Sequence, residues 1–471
     1  MTYWLSIYAA SVLGAVLTVI AMTVVRNEQR HNVGRLGWLF LTLLSPPVGL
    51  VLFLWLGGKR ISAEHARRSL IDYPTADVPD VHAESGRFDF IDALRRDGIA
   101  PTTRHNHIEL IETPEDHRRQ FMRLIEGADE TIYVMTFLLD DSEPIGDIVD
   151  AMCRKARQGV QVCFLIDGFG SLKCSDEPLE RVRDAGGKAQ RFKPLTKWSR
   201  LAYLNYRNHR KVAIADGKRV ILGGANLEAR EIHQRPGDDA WTDLSLAITG
   251  PAATDLQAVF CSDWNFVTGE DLPPAEVETP RENAEKNDDE PNCESRLTVL
   301  SVGPDSVEEA VDDFWPQSMM RARERLWIAT PYFVPPPAVM RCLEATCRRD
   351  IDVRILVPAV SDLRVADLAR IDYLRDLQDE GADLYFYEPS MIHAKVGIVD
   401  DEIALAGSTN FDVRSFALNY ECSVVIHDPC GVGKITDWYR RQLQHTSRGM
   451  QTPGRLERAL VTAARLFAAE L

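Results

Sequence analysis

Residues 208–226 read NHRKVAIADGKRVILGGAN, and residues 392–410 read IHAKVGIVDDEIALAGSTN. Both set down the same residue types at the same intervals. The first holds His209, Lys211, Asp216, Gly223, Gly224 and Asn226, and the second holds His393, Lys395, Asp400, Gly407, Ser408 and Asn410. Lysine follows histidine by two positions, aspartate follows lysine by five, and asparagine follows histidine by seventeen in both. One His-x-Lys is a common accident on a strand. Two copies with every other spacing preserved are a duplication that carried its chemistry along. Residues two apart on a strand point to one face, so each histidine projects beside its lysine while the neighbouring apolar residues face a core.

The duplication extends outward from these stretches. Residues 131–137 (TIYVMTF) and 325–333 (RLWIATPYF) are short β-rich runs, each followed by a helical stretch and a second strand pattern, at 158–167 and 349–358. Strand, helix, strand in both halves predicts α/β domains with mixed or parallel sheets and helices on their faces. Residues 273–294 hold four prolines, eight acidic and two basic residues and almost nothing apolar, which marks a solvated linker. The expected organisation is a lead-in over 61–104, a first domain over 105–272, that linker, and a second domain over 295–471. The last of these ends in an amphipathic helix around Leu456, Leu460 and Phe467.

Residues 3–25 and 36–58 contain no charged side chain, and each is long enough to cross the ~30 Å hydrocarbon layer as a helix. They predict a transmembrane hairpin over 1–60, with Pro46 and Pro47 interrupting the second span, and a multi-pass membrane protein. The remainder carries 49 basic and 69 acidic side chains. That excess argues against a nucleic-acid coat and requires any anionic substrate to find a local basic pocket. The nine cysteines show neither paired nor metal-ligand spacing, so free thiols are expected.

Two imidazoles with two ammonium groups suit phosphate chemistry. One imidazole can attack phosphorus and form a phosphohistidine, while the other protonates the departing alkoxide and later deprotonates the incoming alcohol. Lysines and asparagines can hold the non-bridging oxygens as charge develops. This chemistry calls for neither a metal nor a cofactor.

These features, with RNHRK at 207–211, WTD at 241–243, LQAVFCSDW at 256–264, PYFVP at 331–335 and GSTNFDVRSFALNYE at 407–421, resemble the phospholipase D superfamily, and within it the bacterial cardiolipin synthases of phospholipase D type. The resemblance implies two homologous α/β domains in a pseudo-twofold arrangement that share one site, behind the N-terminal two-helix hairpin. It implies transfer of a phosphatidyl group from one phosphatidylglycerol to another, giving cardiolipin and glycerol, in the inner membrane of a bacterial cell. It makes His209 and His393 nucleophile and general acid/base, with His209 the usual nucleophile, and sets Lys211, Lys395, Asn226, Asn410 and Ser408 around the phosphate. Asp216 and Asp400 belong to the same motifs, and a catalytic role and a structural one at the turn are both open for them. A nucleophilic imidazole also wants a carboxylate on its other nitrogen. Glu421, 28 residues beyond His393, and Asp243, 34 beyond His209, are the candidate orienters.

From Phe192 to Ala215 there is no acidic residue, while basic and aromatic residues alternate. Lys197, Trp198, Arg200 and Arg207 of this run are the expected contacts to an anionic lipid surface. Hydrolysis of the phosphodiester, another donor or acceptor such as phosphatidylethanolamine, a nuclease of the same superfamily and a non-catalytic membrane scaffold are the competing readings, and the motifs do not encode acceptor choice or oligomeric state.

Overall fold

The strand patterns around the two motifs assemble into one sheet. The structure, a computed structural model, describes residues 8–9, 11–14, 16, 71–77, 91, 99–193, 206–233, 240–275, 294–304 and 310–450. The expected hairpin falls outside this set except for a few helical positions, as do most of the acidic linker and the C-terminal helix. Among the described residues no helix is long and apolar enough to cross a membrane.

The first half runs β1 (Thr103–Ile111), α1 (Pro114–Glu126), β2 (Thr131–Thr136), α2 (Glu143–Arg157), β3 (Gln161–Asp167), α3 (Glu177–Asp184), β4 (Lys188–Phe192), β5 (Val212–Ala215), β6 (Arg219–Gly223), α4 (Ala229–Ile232), β7 (Ser245–Thr249) and α5 (Ala252–Thr268). The second runs β8 (Ser295–Val302), α6 (Ala310–Arg321), β9 (Arg325–Ala329), β10 (Phe333–Val334), α7 (Pro337–Cys347), β11 (Asp352–Pro358), α8 (Arg364–Asp379), β12 (Asp383–Tyr387), β13 (Val396–Val399), β14 (Ile403–Gly407), β15 (Phe411–Asp412), α9 (Val413–Ala417), β16 (Glu421–Ile426), α10 (Pro429–Leu443) and β17 (Thr446–Arg448).

Fifteen of these strands form a sheet in the order β17-β12-β11-β9-β13-β14-β16-β8-β1-β7-β6-β5-β2-β3-β4. Apart from β17, it reads the same from either edge. β2, β3 and β4 pair in parallel as do β9, β11 and β12, and the halves meet where β1 pairs antiparallel with β8. The register repeats as well, with Gly223 opposite Ser245 and Gly407 opposite Ser423.

Strands such as β2 and β3 are apolar along their length and buried on both faces, as parallel strands between helical layers must be. On one face a single core spans both halves, in which Leu256, Phe260 and Trp264 of α5 join Val432, Ile435 and Trp438 of α10. On the other face each half has a core of its own, under α1, α2 and α3 or under α6, α7 and α8. The shared layer fixes the two halves relative to each other. Helix ends are set by local chemistry: Thr113 caps α1 by accepting from Asp116 N at 3.1 Å, and Gly269, at φ 73°, closes α5. Among the described residues seven cysteines are free thiols.

Candidate active site

Both motifs lie in extended chain leading into β5 and β13, and each of these lead-ins pairs with the opposite half. Tyr420 N donates to Arg207 O at 2.8 Å and His209 N to Tyr420 O at 2.9 Å. The second motif repeats this, with Thr242 N donating to Met391 O at 2.9 Å and His393 N to Thr242 O at 2.7 Å. The residue after each bridging position is a carboxylate, Glu421 after Tyr420 and Asp243 after Thr242. His209 Nδ1 therefore lies 3.0 Å from both oxygens of Glu421, and His393 Nδ1 lies 2.8 Å from Asp243 Oδ2. The orienters are the two expected from sequence, but they are crossed, each serving the histidine of the other half. A carboxylate on Nδ1 fixes the tautomer and leaves the Nε2 lone pair to react. Each ring also rests on an aromatic side chain, with centroids at 4.9 Å for Phe137 on His209 and 5.0 Å for Trp241 on His393.

Lys211 and Lys395 are buried beside their histidines, and each ammonium donates to the carbonyl of its own motif histidine, Lys211 to His209 O at 2.7 Å. The asparagines come to the same place. Asn226 Nδ2 donates to Glu231 Oε1 at 2.9 Å, and Asn410 donates to Asp412 while its buried Oδ1 has no partner. An incoming phosphate would compete with these carboxylates for the amides.

Ser408 differs from its expected role. Its hydroxyl donates to Glu421 Oε2 at 2.5 Å and accepts from Cys422 N at 2.9 Å, so it braces the orienter and does not face a phosphate. Ser415 Oγ at 2.7 Å and Asn419 Nδ2 at 3.3 Å complete the set around Glu421.

Glu231 is the functional candidate that sequence reading missed. It lies five residues beyond Asn226, as Ser415 lies five beyond Asn410, so aligning NLEAREI with NFDVRSF carried the signal. Its Oε2 accepts from Asn226 N at 2.5 Å and stands 3.7 Å from His393 Nδ1. Ligand atoms of Glu231, Asp243 and His393 fall within 4.8 Å of one another, so among the described residues these three are the set that could hold a cation. Lys395, with its ammonium 3.9 Å from Asp243 Oδ2, already supplies positive charge there.

Of the two roles open for the motif aspartates, the geometry fits the one at the turn. Asp216 accepts from the backbone N–H groups of Asp129, Glu130 and Thr131 at 2.8–2.9 Å, and Asp400 from those of Arg323, Glu324 and Arg325 at 2.8–3.2 Å. Both sit at positive φ, 55° and 54°, at the far end of a four-residue strand, seven residues and roughly 23 Å of extended chain beyond the histidine.

Arg207 is also corrected. Only 1% exposed, it lies 3.6 Å from Asp167 and donates to Lys193 O at 3.1 Å, so it neutralises a buried carboxylate and does not face lipid. Lys197, Trp198 and Arg200 lie outside the described residues. Arg210, between the motif His and Lys, grips Asp263 at 2.7 Å and Ser301 Oγ at 2.7 Å, tying the halves together behind the site.

Burial sets the protonation pattern. It pulls His209 down to about 4 and His393 to about 3 against the opposing pull of their carboxylates, leaving both imidazoles neutral near pH 7. Burial also lowers Lys211 to about 7 and lowers Lys395. Glu231, buried beside Asp243, is pushed up to about 8 and holds a proton. Burial would raise Glu421 and Asp243 too, but His209 and Lys211 hold the first below the usual range, and Lys395 and His393 hold the second. A bound phosphodiester anion would draw protons back to the lysines and to one imidazole.

Comparison with known proteins places this geometry among relatives. The family described as "Cardiolipin synthase, PLD-like domain" matches residues 121–264 and 316–446, one segment in each half. A probable cardiolipin synthase of Bacillus subtilis is 29% identical over 94% of this chain and 90% of its own length. Cardiolipin synthase A of Pseudomonas aeruginosa is 29% identical over 97% of this chain and 93% of its own. The crystal structure of a phosphatidylserine synthase from Haemophilus influenzae superposes with a TM-score of 0.62 at 17% identity, covering 81% of this chain and all of that one, which shows a common fold.

Proposed function

The chain belongs to the family of PLD-like cardiolipin synthases, and from that premise we infer that it is a phosphatidyltransferase that joins two phosphatidylglycerol molecules into cardiolipin. One observation carries the reading: two imidazoles, each held on Nδ1 by a carboxylate from the opposite half, are accompanied by two buried lysines. Nε2 of His209, the nucleophile by resemblance, attacks phosphorus. The bond to the glycerol oxygen breaks, and His393, protonated when the anionic substrate is bound, gives that oxygen its proton. His393, now neutral, takes the proton from a hydroxyl of the second phosphatidylglycerol. That oxygen attacks the phosphohistidine, the N–P bond breaks, and cardiolipin leaves. Lys211 and Lys395 balance the charge on the non-bridging oxygens. The two uncharged 23-residue runs at the N-terminus support a bacterial inner-membrane protein with two spans.

Purified protein incubated with labelled phosphatidylglycerol is expected to release glycerol and accumulate cardiolipin. Phosphatidic acid as the dominant product would make it a hydrolase, and absence of turnover would make it a scaffold.

A further inference from the structure

Beyond residue 70 the described chain exposes six large apolar side chains, Phe169, Leu172, Met320, Val360, Leu363 and Val365, and five of them stand on two segments. Phe169 and Leu172 follow β3, while Val360, Leu363 and Val365 follow β11, the strand that occupies the same place in the second half. A soluble surface scatters such residues singly, whereas a concentration of them marks contact with a partner.

Both segments border the active site. Ser171 Oγ donates to the carbonyl of Phe137 at 3.0 Å, and the Phe137 ring packs on His209. The guanidinium of Arg207, two residues before His209, lies 5.6 Å from the ring centre of Phe169. In the second half Tyr332 donates to Asp362 at 2.6 Å. Thr330, whose hydroxyl bonds Tyr332 O, accepts from Phe411 N, next to Asn410. The loops are also braced. Asp167 accepts from Phe169 N and Gly170 N at 2.8 and 3.0 Å, Arg191 holds Ser171 O and Cys174 O, and Asp367 accepts from Ser361 N at 3.0 Å. Apolar groups are thus held outward on hydrogen-bonded loops. An exposed base also stands beside each leucine, Lys173 after Leu172 and Arg364, the first residue of α8, after Leu363, while the exposed Asp362 on the other side of Leu363 accepts from Tyr332.

We propose that these two loops form a rim that seats the active-site mouth on an anionic phospholipid bilayer, with Phe169, Leu172, Val360, Leu363 and Val365 entering the headgroup–acyl boundary and Lys173 and Arg364 at the lipid phosphates. This rests on the phospholipid-transferase reading and names the surface from which that site draws its substrate. Interleaved leucine and base on both sides of a pseudo-twofold mouth match an anionic interface, where apolar burial and charge act together. Seated this way, the site receives a phosphodiester without the acyl chains leaving the bilayer.

The test uses the full chain reconstituted in phosphatidylglycerol bilayers. The doubly substituted Leu172→Ser/Leu363→Ser protein is expected to turn over bilayer phosphatidylglycerol roughly ten-fold more slowly, on the order of the loss of two partly buried leucines. Its activity on monomeric dihexanoyl phosphatidylglycerol should stay within about two-fold of wild type, because these side chains lie outside the catalytic machinery. A fluorophore on Leu363→Cys should be quenched by brominated acyl chains, and one on Met320→Cys, at the opposite end of the strands, should not. Unchanged bilayer turnover, an equal loss on both substrates, or no quenching at 363 would overturn the proposal. Quenching at 363 in a protein inactive on both lipids would uphold the rim and remove the transferase reading.

Discussion

A carboxylate that accepts three backbone N–H groups within 3 Å, as Asp216 does, has little lone-pair capacity left for an imidazole. Its work is to hold the start of β2 against the turn after β5. Asp216→Asn should therefore lower Tm by several degrees while kcat of the folded fraction stays within about three-fold, since charge-assisted bonds of ~1.5–3 kcal/mol are weakened without touching the site. Thermal melts alongside turnover check this, and a collapse of kcat at unchanged Tm would restore a catalytic role. Glu231 predicts a pH effect. Held protonated up to about 8, it acquires charge beside Asp243 only on the alkaline side. Glu231→Gln keeps its shape without that ionisation, so the ratio of variant to wild-type kcat/KM should be flat near neutrality and rise above pH 8. A ratio that falls there would contradict the assignment. The spacing of the motifs made His209, Lys211, His393 and Lys395 legible. It could not tell that Arg207 would be buried, because the Asp167 that neutralises it lies forty residues upstream and meets it only in the fold.

Among the elements, strands and their repeat were the most readable part of the chain, because apolar runs such as 131–137 and 325–333 are buried on both faces. Pairing between elements was less so. The crossing of the orienting carboxylates depends on two single-residue bridges, Asn208 with Tyr420 and Thr242 with Ile392, which no periodicity announces. The short 3₁₀ turn Pro74–Asp77 likewise docks on α5 through Thr75, whose hydroxyl bonds both oxygens of Asp255 at 2.8 and 2.7 Å. Burial raises Asp255 to about 7 from an ordinary value of 3.8. A carboxyl raised in the folded state favours folding fully below its unfolded value, and that contribution is lost as pH climbs through the folded value. Asp255→Asn, which keeps an acceptor for Thr75 and cannot ionise, should raise Tm at pH 8 and change it little at pH 4. Equal shifts at both pH values would mean that Asp255 ionises alike in the folded and unfolded chain and is not raised by burial.

At the scale of the whole molecule, duplication left two halves that are built into each other. β1 pairs with β8, α5 and α10 share one core, and each histidine takes its carboxylate from across the dyad. Asymmetry then entered around a symmetric frame: Glu421 is braced by Ser408, Ser415 and Asn419, while Asp243 has Glu231 for a neighbour. Two equivalent imidazoles could thereby take the two different tasks that phosphatidyl transfer demands. The most direct test is to mix the purified protein with phosphatidylglycerol labelled at phosphorus, quench it rapidly under alkaline denaturing conditions, and map the labelled peptide. Wild type should show a phosphohistidine at His209 that decays into cardiolipin, and the His209→Ala and His393→Ala proteins should each make none. Cardiolipin formed at wild-type rate by either variant would show that the two halves do not share one site.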